Sequence, residues 1–231
     1  MTAPIEEMVR RALTRPDRDD AERWETIARL HKRGDAETFD AAARLCAGER
    51  SEERELGADI LAQLAYRPGP RLAVLREMAR REDDPAVLRS VLFALGHIGD
   101  ESAFPEVLRS AGHEDAGVRY AAAWSLPEVM RHDDAEAVAA LIRISRETGD
   151  DNRDCATTGL AGLDADDAAV REALAARLDD ASLVVAAEAA YGLARRGDRR
   201  AERVVRRRLD GDEYTRSLLE WTADLLRTGT A

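Results

Sequence analysis

The stretch Pro85 to Asp100, PAVLRSVLFALGHIGD, recurs in altered form along the chain, and this repetition constrains the fold more than any other feature. With a register zero at Leu88, small or apolar residues fall at positions three and four (Val91, Leu92), a leucine at position seven (Leu95), and Gly99-Asp100 closes the segment. Zeros at Arg23, Arg54, Arg119, Arg153 and Ala186 reproduce the pattern, and position seven is then Leu30, Leu61, Leu95, Leu126, Leu160 and Leu193. Positions three, four and seven lie on one face of a helix. The zeros are 31 to 34 residues apart, the spacing of stacked two-helix units that bury their apolar faces only against neighbours.

Composition agrees with helices throughout. Aromatic residues make up 4% of the chain, and no segment alternates with the period of two that a half-buried strand requires. Each unit reads as a signature helix, a turn and a second helix. Gly34-Asp35, Gly99-Asp100 and Gly197-Asp198 mark turns in which glycine ends one helix and aspartate caps the next. His132-Asp133-Asp134 and Asp164 to Asp167 take that place in the fourth and fifth units. The second helices are expected at 36–46, 71–79, 101–110, 135–145, 167–178 and 199–209. Tyr66 to Pro70 and Ser145 to Asp150 read as lengthened connections. The units run roughly over 20–50, 51–82, 84–112, 114–148, 150–180 and 182–210. Amphipathic helices at 4–14, ended by Pro16 and the charged run that follows, and at 212–227 serve as end caps, so residues 1–231 are expected to form a single repeat domain.

The clusters Glu82-Asp83-Asp84, Glu114-Asp115, Asp150-Asp151 and Asp179-Asp180 each precede a signature helix. Carboxylates there satisfy free N–H groups and oppose the macrodipole, and none of these clusters has the spacing of a calcium loop. The arginines Arg44, Arg76, Arg109, Arg143 and Arg206 recur on the second helices and read as a solvated face.

The net charge is −11, and Lys32 is the only lysine. An acidic surface repels phosphate backbones, which disfavours nucleic acid. Cys46 and Cys155 lack CxxC spacing and read as free thiols of a reducing cytoplasm. Glu6 and Glu7 stand where a signal peptide needs an apolar core, and no apolar run is long enough to span a membrane. The four histidines are scattered without HExxH spacing, and neither a P-loop nor GxGxxG is present, so no catalytic residue, metal or cofactor is expected.

The segments Val118-Arg119-Tyr-Ala-Ala-Ala-Trp-Ser-Leu126 and Val87 to Asp100 resemble the HEAT-like repeat of the phycobilin-lyase type, whose pattern is V-R-x-x-A-A-x-A-L-G-x-I-G-D. The resemblance covers about residues 20–210. It implies an all-α, right-handed α-solenoid with the signature helices lining the concave face, positions one, two, five and nine turned outward. It also implies that an arginine at the zero position pairs with an acidic residue at the repeat junction. The concave face would then carry Trp24, Glu55 and Asp59 at one end. Arg89, Phe93, His97, Tyr120, Trp124 and Glu128 would occupy its middle, with Tyr191 beyond. Aromatics ringed by polar groups are the usual anchors of a binding site; the alternative is that Phe93 and Trp124 are core residues. The function expected is a non-enzymatic protein-binding scaffold, its acidic, aromatic-centred face suited to a basic protein partner. The resemblance also raises a second reading, a HEAT-like alkylpurine DNA glycosylase, because Trp124 and Glu128 stand one helical turn apart. Those enzymes use aspartate and a basic concavity, from which this chain departs.

Overall fold

The computed structural model describes residues 4–15, 17–131, 134–207 and 211–229. Pro16, His132, Asp133 and the end of the sixth second helix, among the sequence expectations, lie outside them. The chain divides into two compact units, Met1–Val129 and Met130–Ala231, and the division falls between the two helices of the fourth repeat.

Unit 1 contains α1 (Ile5–Leu13), α2 (Ala21–Arg33), α3 (Ala36–Cys46), α4 (Ser51–Gln63), α5 (Pro68–Arg81), α6 (Pro85–Ile98), α7 (Phe104–Ser110, entered through a 3-10 turn at Glu101–Ala103) and α8 (Ala116–Val129). Unit 2 contains α9 (Ala135–Ile144), α10 (Asp150–Gly162), α11 (Ala168–Arg177), α12 (Leu183–Arg195), α13 (Glu202–Arg206, after a 3-10 turn at Arg199–Ala201) and α14 (Glu213–Thr228). Regular structure among the described residues is entirely helical.

The register accounts for the core. All six position-seven leucines are fully buried. So are Ile27, Ala58, Val91, Leu92, Ala122, Ala123, Ala156, Ala189 and Ala190 at positions three and four. In unit 1, α4, α6 and α8 pack in succession with α3, α5 and α7 against them; in unit 2, α10, α12 and α14 do the same. Gly34, Gly99 and Gly197 adopt φ of 60°, 67° and 66°, the left-handed conformation that ends a helix without a Cβ penalty. The following Asp35, Asp100 and Asp198 each accept a backbone N–H from the next helical segment.

The arginines at the zero positions join repeats. Arg23 donates to Asp59 at 2.8 Å, Arg54 bidentately to Glu82 at 2.8 and 2.9 Å, and Arg153 bidentately to Asp180 at 3.1 Å. A second device repeats with them. Arg54, Arg119 and Arg153 each donate through Nη1 to the carbonyls five and six residues earlier, tying down the turn before the helix. Leu88 and Ala186, which lack the guanidinium, are buried instead.

Three expectations are corrected. The connection at Tyr66 to Pro70 is shorter than expected, because α5 begins at Pro68; proline in a first turn sacrifices no intrahelical hydrogen bond. Asp150 and Asp151 lie inside the first turn of α10 instead of ahead of it, whereas Asp84 and Asp115 cap as expected. The second-helix arginines are not uniformly a solvated face. Arg76 and Arg80 both bind Glu106, whose side chain is 4% exposed, and Arg109 donates to the carbonyl of Ala79 at 2.7 Å. These are links between repeats.

Candidate functional site

In unit 1 the register brings the middle residues together. Phe93, at position five of α6, meets Trp124, at position five of α8, edge to face with centroids 5.4 Å apart. Phe93 also meets Tyr120 at 6.1 Å, and His97 meets Trp124 at 4.9 Å. Edge-to-face contacts of this kind favour a fixed ring arrangement. Gly96 permits it: a Cβ there would stand 2.7 Å from Cζ3 of Trp124. Phe93, Tyr120 and Trp124 are half-buried, while His97 and Glu128 are exposed. The rings are therefore neither core nor free, and they form a platform with an open side.

His97 Nε2 lies 3.4 Å from Nε2 of Gln63. Burial pushes the His97 imidazole below its usual pKa, and the nearby Glu128 carboxylate opposes that shift. Arg89 is half-buried, and its Nε has no hydrogen-bond partner; its side chain lies along Gly117.

The other end of the face differs from expectation. Asp59 is 5% exposed, beneath the surface, and is bound by Arg23. Glu55 is half-buried and accepts from Arg18 Nη1 at 2.7 Å. Arg18 also donates to Ser90 Oγ at 2.8 Å and lies 3.7 Å from Asp59. Trp24, 39% exposed, holds that segment by donating from Nε1 to the Arg18 carbonyl at 2.8 Å, and the Arg23 guanidinium lies over its ring. Two of the expected carboxylates thus have their charge met within the chain. Asp59 also shapes the site through its carbonyl, which accepts from Nε2 of His31 at 2.9 Å; burial holds His31 below the usual imidazole range.

Tyr191 belongs to unit 2, apart from the residues above. It packs on α12 against Trp221 of α14, centroids 6.4 Å apart. Beside it, Glu188 is 3% exposed and accepts a hydrogen bond from the Tyr214 hydroxyl. Burial raises the pKa of Glu188 and Asp154, and neighbouring carboxylates raise both further.

Arg18, Ser90, Glu188, Tyr214 and Trp221 are additions to the residues expected. Position two of the register would have found Ser90 and Glu188. It is buried in most repeats, as Leu56, Ser90, Ala121 and Glu188 show, because adjacent signature helices close over it. Nothing in local spacing points to Arg18, whose partners lie 37 and 72 residues away. A hollow of about 880 Å³ between α3 and α5 lies elsewhere, ringed by the paired Arg54–Glu82 and Arg81–Glu77. Among the described residues no group of three histidine, cysteine or acidic side chains could hold a metal ion, and no helix is long and apolar enough to cross a membrane.

Residues 72–161 match the family of HEAT repeats. Among solved structures, the E. coli protein YibA superposes with a TM-score of 0.70 at 16% identity, covering 99% of this chain and 98% of its own. The archaeal HEAT-like repeats protein from Thermococcus onnurineus NA1 has a TM-score of 0.58 at 12% identity, with both chains covered completely. A designed armadillo repeat protein in complex with the peptide (KR)4 has a TM-score of 0.51 at 14% identity, covering 97% of this chain and 100% of that one. No curated protein sequence matches. The chain has an all-α repeat fold similar to that of HEAT-like and armadillo repeat proteins.

Proposed function

We propose that this chain is a non-enzymatic scaffold that binds a segment of another protein on the aromatic platform of unit 1. One observation carries the reading: Phe93 stands edge to face against both Tyr120 and Trp124, all three at outward register positions and half-buried. In a chain with 4% aromatic residues, three rings gathered on one surface suit a binding hot spot. The exposed Glu128 and the net charge of −11 favour a basic partner. Glu55 and Asp59 add little to that preference, since Arg18 and Arg23 already answer them. The designed armadillo neighbour was solved with the peptide (KR)4, which supports a basic peptide as the class of ligand. Free thiols and the acidic surface fit a reducing, cytoplasmic setting.

The test compares proteins retained from the source organism's lysate by the wild type and by a Trp124→Ala, Tyr120→Ala double variant. The proposal expects a discrete protein held by the first and lost by a folded second. Retention of the same proteins by both would overturn it.

A further inference from the structure

We propose that the face shared by α10, α12 and α14 is a second docking surface, which receives an arginine side chain from an extended basic segment of a partner protein against Asp154, Glu188 and the rings of Tyr214 and Trp221. The inference rests on the protein-binding reading only in taking a protein as the occupant; none of its residues belongs to the platform of unit 1.

The exposed aromatic surface comes first. Trp221 is 54% exposed and Tyr214 49%, the two most exposed large apolar side chains described. Both lie on the side of α14 that meets α12, Tyr214 through Glu188 and Trp221 through Tyr191. Faces of aromatic rings left open in this way attract a guanidinium.

The second observation is a missing cation. Wherever else a buried carboxylate lies between repeats, an arginine answers it: Asp59 has Arg23, Glu82 has Arg54, Glu106 has Arg76 and Arg80, and Asp180 has Arg153. Asp154 and Glu188 break the rule. Glu188 is almost wholly buried and is held only by neutral hydroxyls, those of Tyr214 and Thr158. Asp154 has a buried Oδ1 that accepts no hydrogen bond.

The charged groups that act on the pair are themselves acidic. Asp151 acts on Asp154, and Asp154 on Glu188; Asp212 caps the same end of α14 as Tyr214. Cys155, next on α10, is an un-ionised thiol. On α11, Arg171 is committed to Asp166, Arg177 to Asp180 and Glu172 to Arg200. Arg195 of α12 binds Asp164 and the carbonyls ending α10, while Glu136 and Arg143 of α9 are exposed. On α14, Arg216 is turned to the Gly211 carbonyl and Arg227 to Asp224.

The chain shows in unit 1 how such a pair is satisfied. Arg18, on the non-helical stretch before α2, reaches the signature helices and donates to Glu55 and Ser90 beside Asp59. An arginine carried on a non-helical segment thus fits the edge of these helices. Its planar fork offers several donors to carboxylate and hydroxyl oxygens together, which a lysine ammonium cannot match. An incoming guanidinium also favours the ionised form of both carboxylates, opposing the burial that raises their pKa.

The experiment is a calorimetric titration of the full chain with an amidated octapeptide of alternating lysine and arginine. A second peptide carries neutral citrulline in place of each arginine. The expected results are binding of the arginine peptide and at least about tenfold weaker binding of the citrulline peptide. Asp154→Asn and Glu188→Gln, both folded by circular dichroism, should lose a similar factor. Affinity should rise with pH through the weakly acidic range, with proton release seen as heats that differ between buffers. Equal binding of the two peptides, unchanged binding by Asp154→Asn, or no binding by the wild type up to about 1 mM would overturn the proposal. Trp124→Ala separates the two surfaces. Loss of the peptide in Trp124→Ala with full retention in Asp154→Asn rejects the unit 2 surface and leaves the platform standing; the reverse pattern upholds the unit 2 surface and rejects the platform for this ligand.

Discussion

Replacing Gly96 by alanine sets two effects of opposite sign against each other. Alanine in the interior of α6 is favoured over glycine by about 1 kcal/mol of helix propensity. The added Cβ, however, would stand 2.7 Å from Cζ3 of Trp124, 2.8 Å from Oγ of Ser125 and 3.0 Å from Cβ of Ser125. The indole has some room to tilt. Ser125 does not, being fully buried and hydrogen-bonded to the Leu92 carbonyl at 2.9 Å, so α6 and α8 must separate slightly. Overpacking of this kind costs roughly 1–3 kcal/mol, and a weakened Ser125 bond adds about 1 kcal/mol. The net expectation is a loss of about 1–3 kcal/mol, or a fall in Tm of roughly 2–12 °C for a chain of this size. Thermal unfolding followed by circular dichroism measures it. Gly162→Ala is the internal control, because nothing lies within 4 Å of its Cβ position, and it should be neutral or slightly stabilising. If Gly96→Ala stabilises the protein as much as the control does, α6 and α8 are not in close contact under Trp124 and the platform is misdescribed.

Other perturbations follow from the same geometry. Leu126→Ala, at a fully buried position seven, should cost about 2–5 kcal/mol in chemical denaturation. Burial pushes the thiols of Cys46 and Cys155 up to about 12, so a thiol reagent at neutral pH should label the native protein slowly and the unfolded protein fully. Arginine partners outweigh burial at Glu82, Glu106 and Asp180 and hold their pKa below the ordinary value. Their contribution is present above the unfolded-state pKa and disappears as pH falls through the depressed folded values, so Tm should drop steeply on strong acidification. Glu188 behaves oppositely: its raised pKa means stability complete at low pH and lost as pH rises through the folded value. Glu188→Gln should therefore raise Tm at neutral pH and leave it unchanged in acid.

Much of this fold is legible because repetition multiplies a weak signal. One leucine at position seven says little, but six in register fix which face of each signature helix is buried, and all six are. The glycine-aspartate turns are equally legible, since a left-handed φ and a side-chain cap are local requirements. The charge pattern on the outward face is harder to read. Glu55 and Asp59 look like free acids in sequence, yet their partners arrive from the stretch before α2 and from the preceding signature helix. Arg76 and Arg109 look solvated on their own helices, and only packing shows their reach to the next or previous repeat. Periodicity describes one helix at a time, whereas guanidinium groups span two. The aromatic platform falls between these cases. Its residues follow from the register, but their half-burial depends on Gly96, which lets Trp124 settle against α6.

A partner protein seated on the platform of unit 1 lies within crosslinking distance of it in the cell. A photoreactive benzoylphenylalanine is placed at Tyr120, beside Phe93, or at Arg44, exposed on α3. A crosslinked product of discrete mass is expected from position 120 that is absent from position 44 and disappears when Trp124 is also replaced by alanine. Crosslinking from position 44 alone, or from position 120 regardless of Trp124, would contradict it.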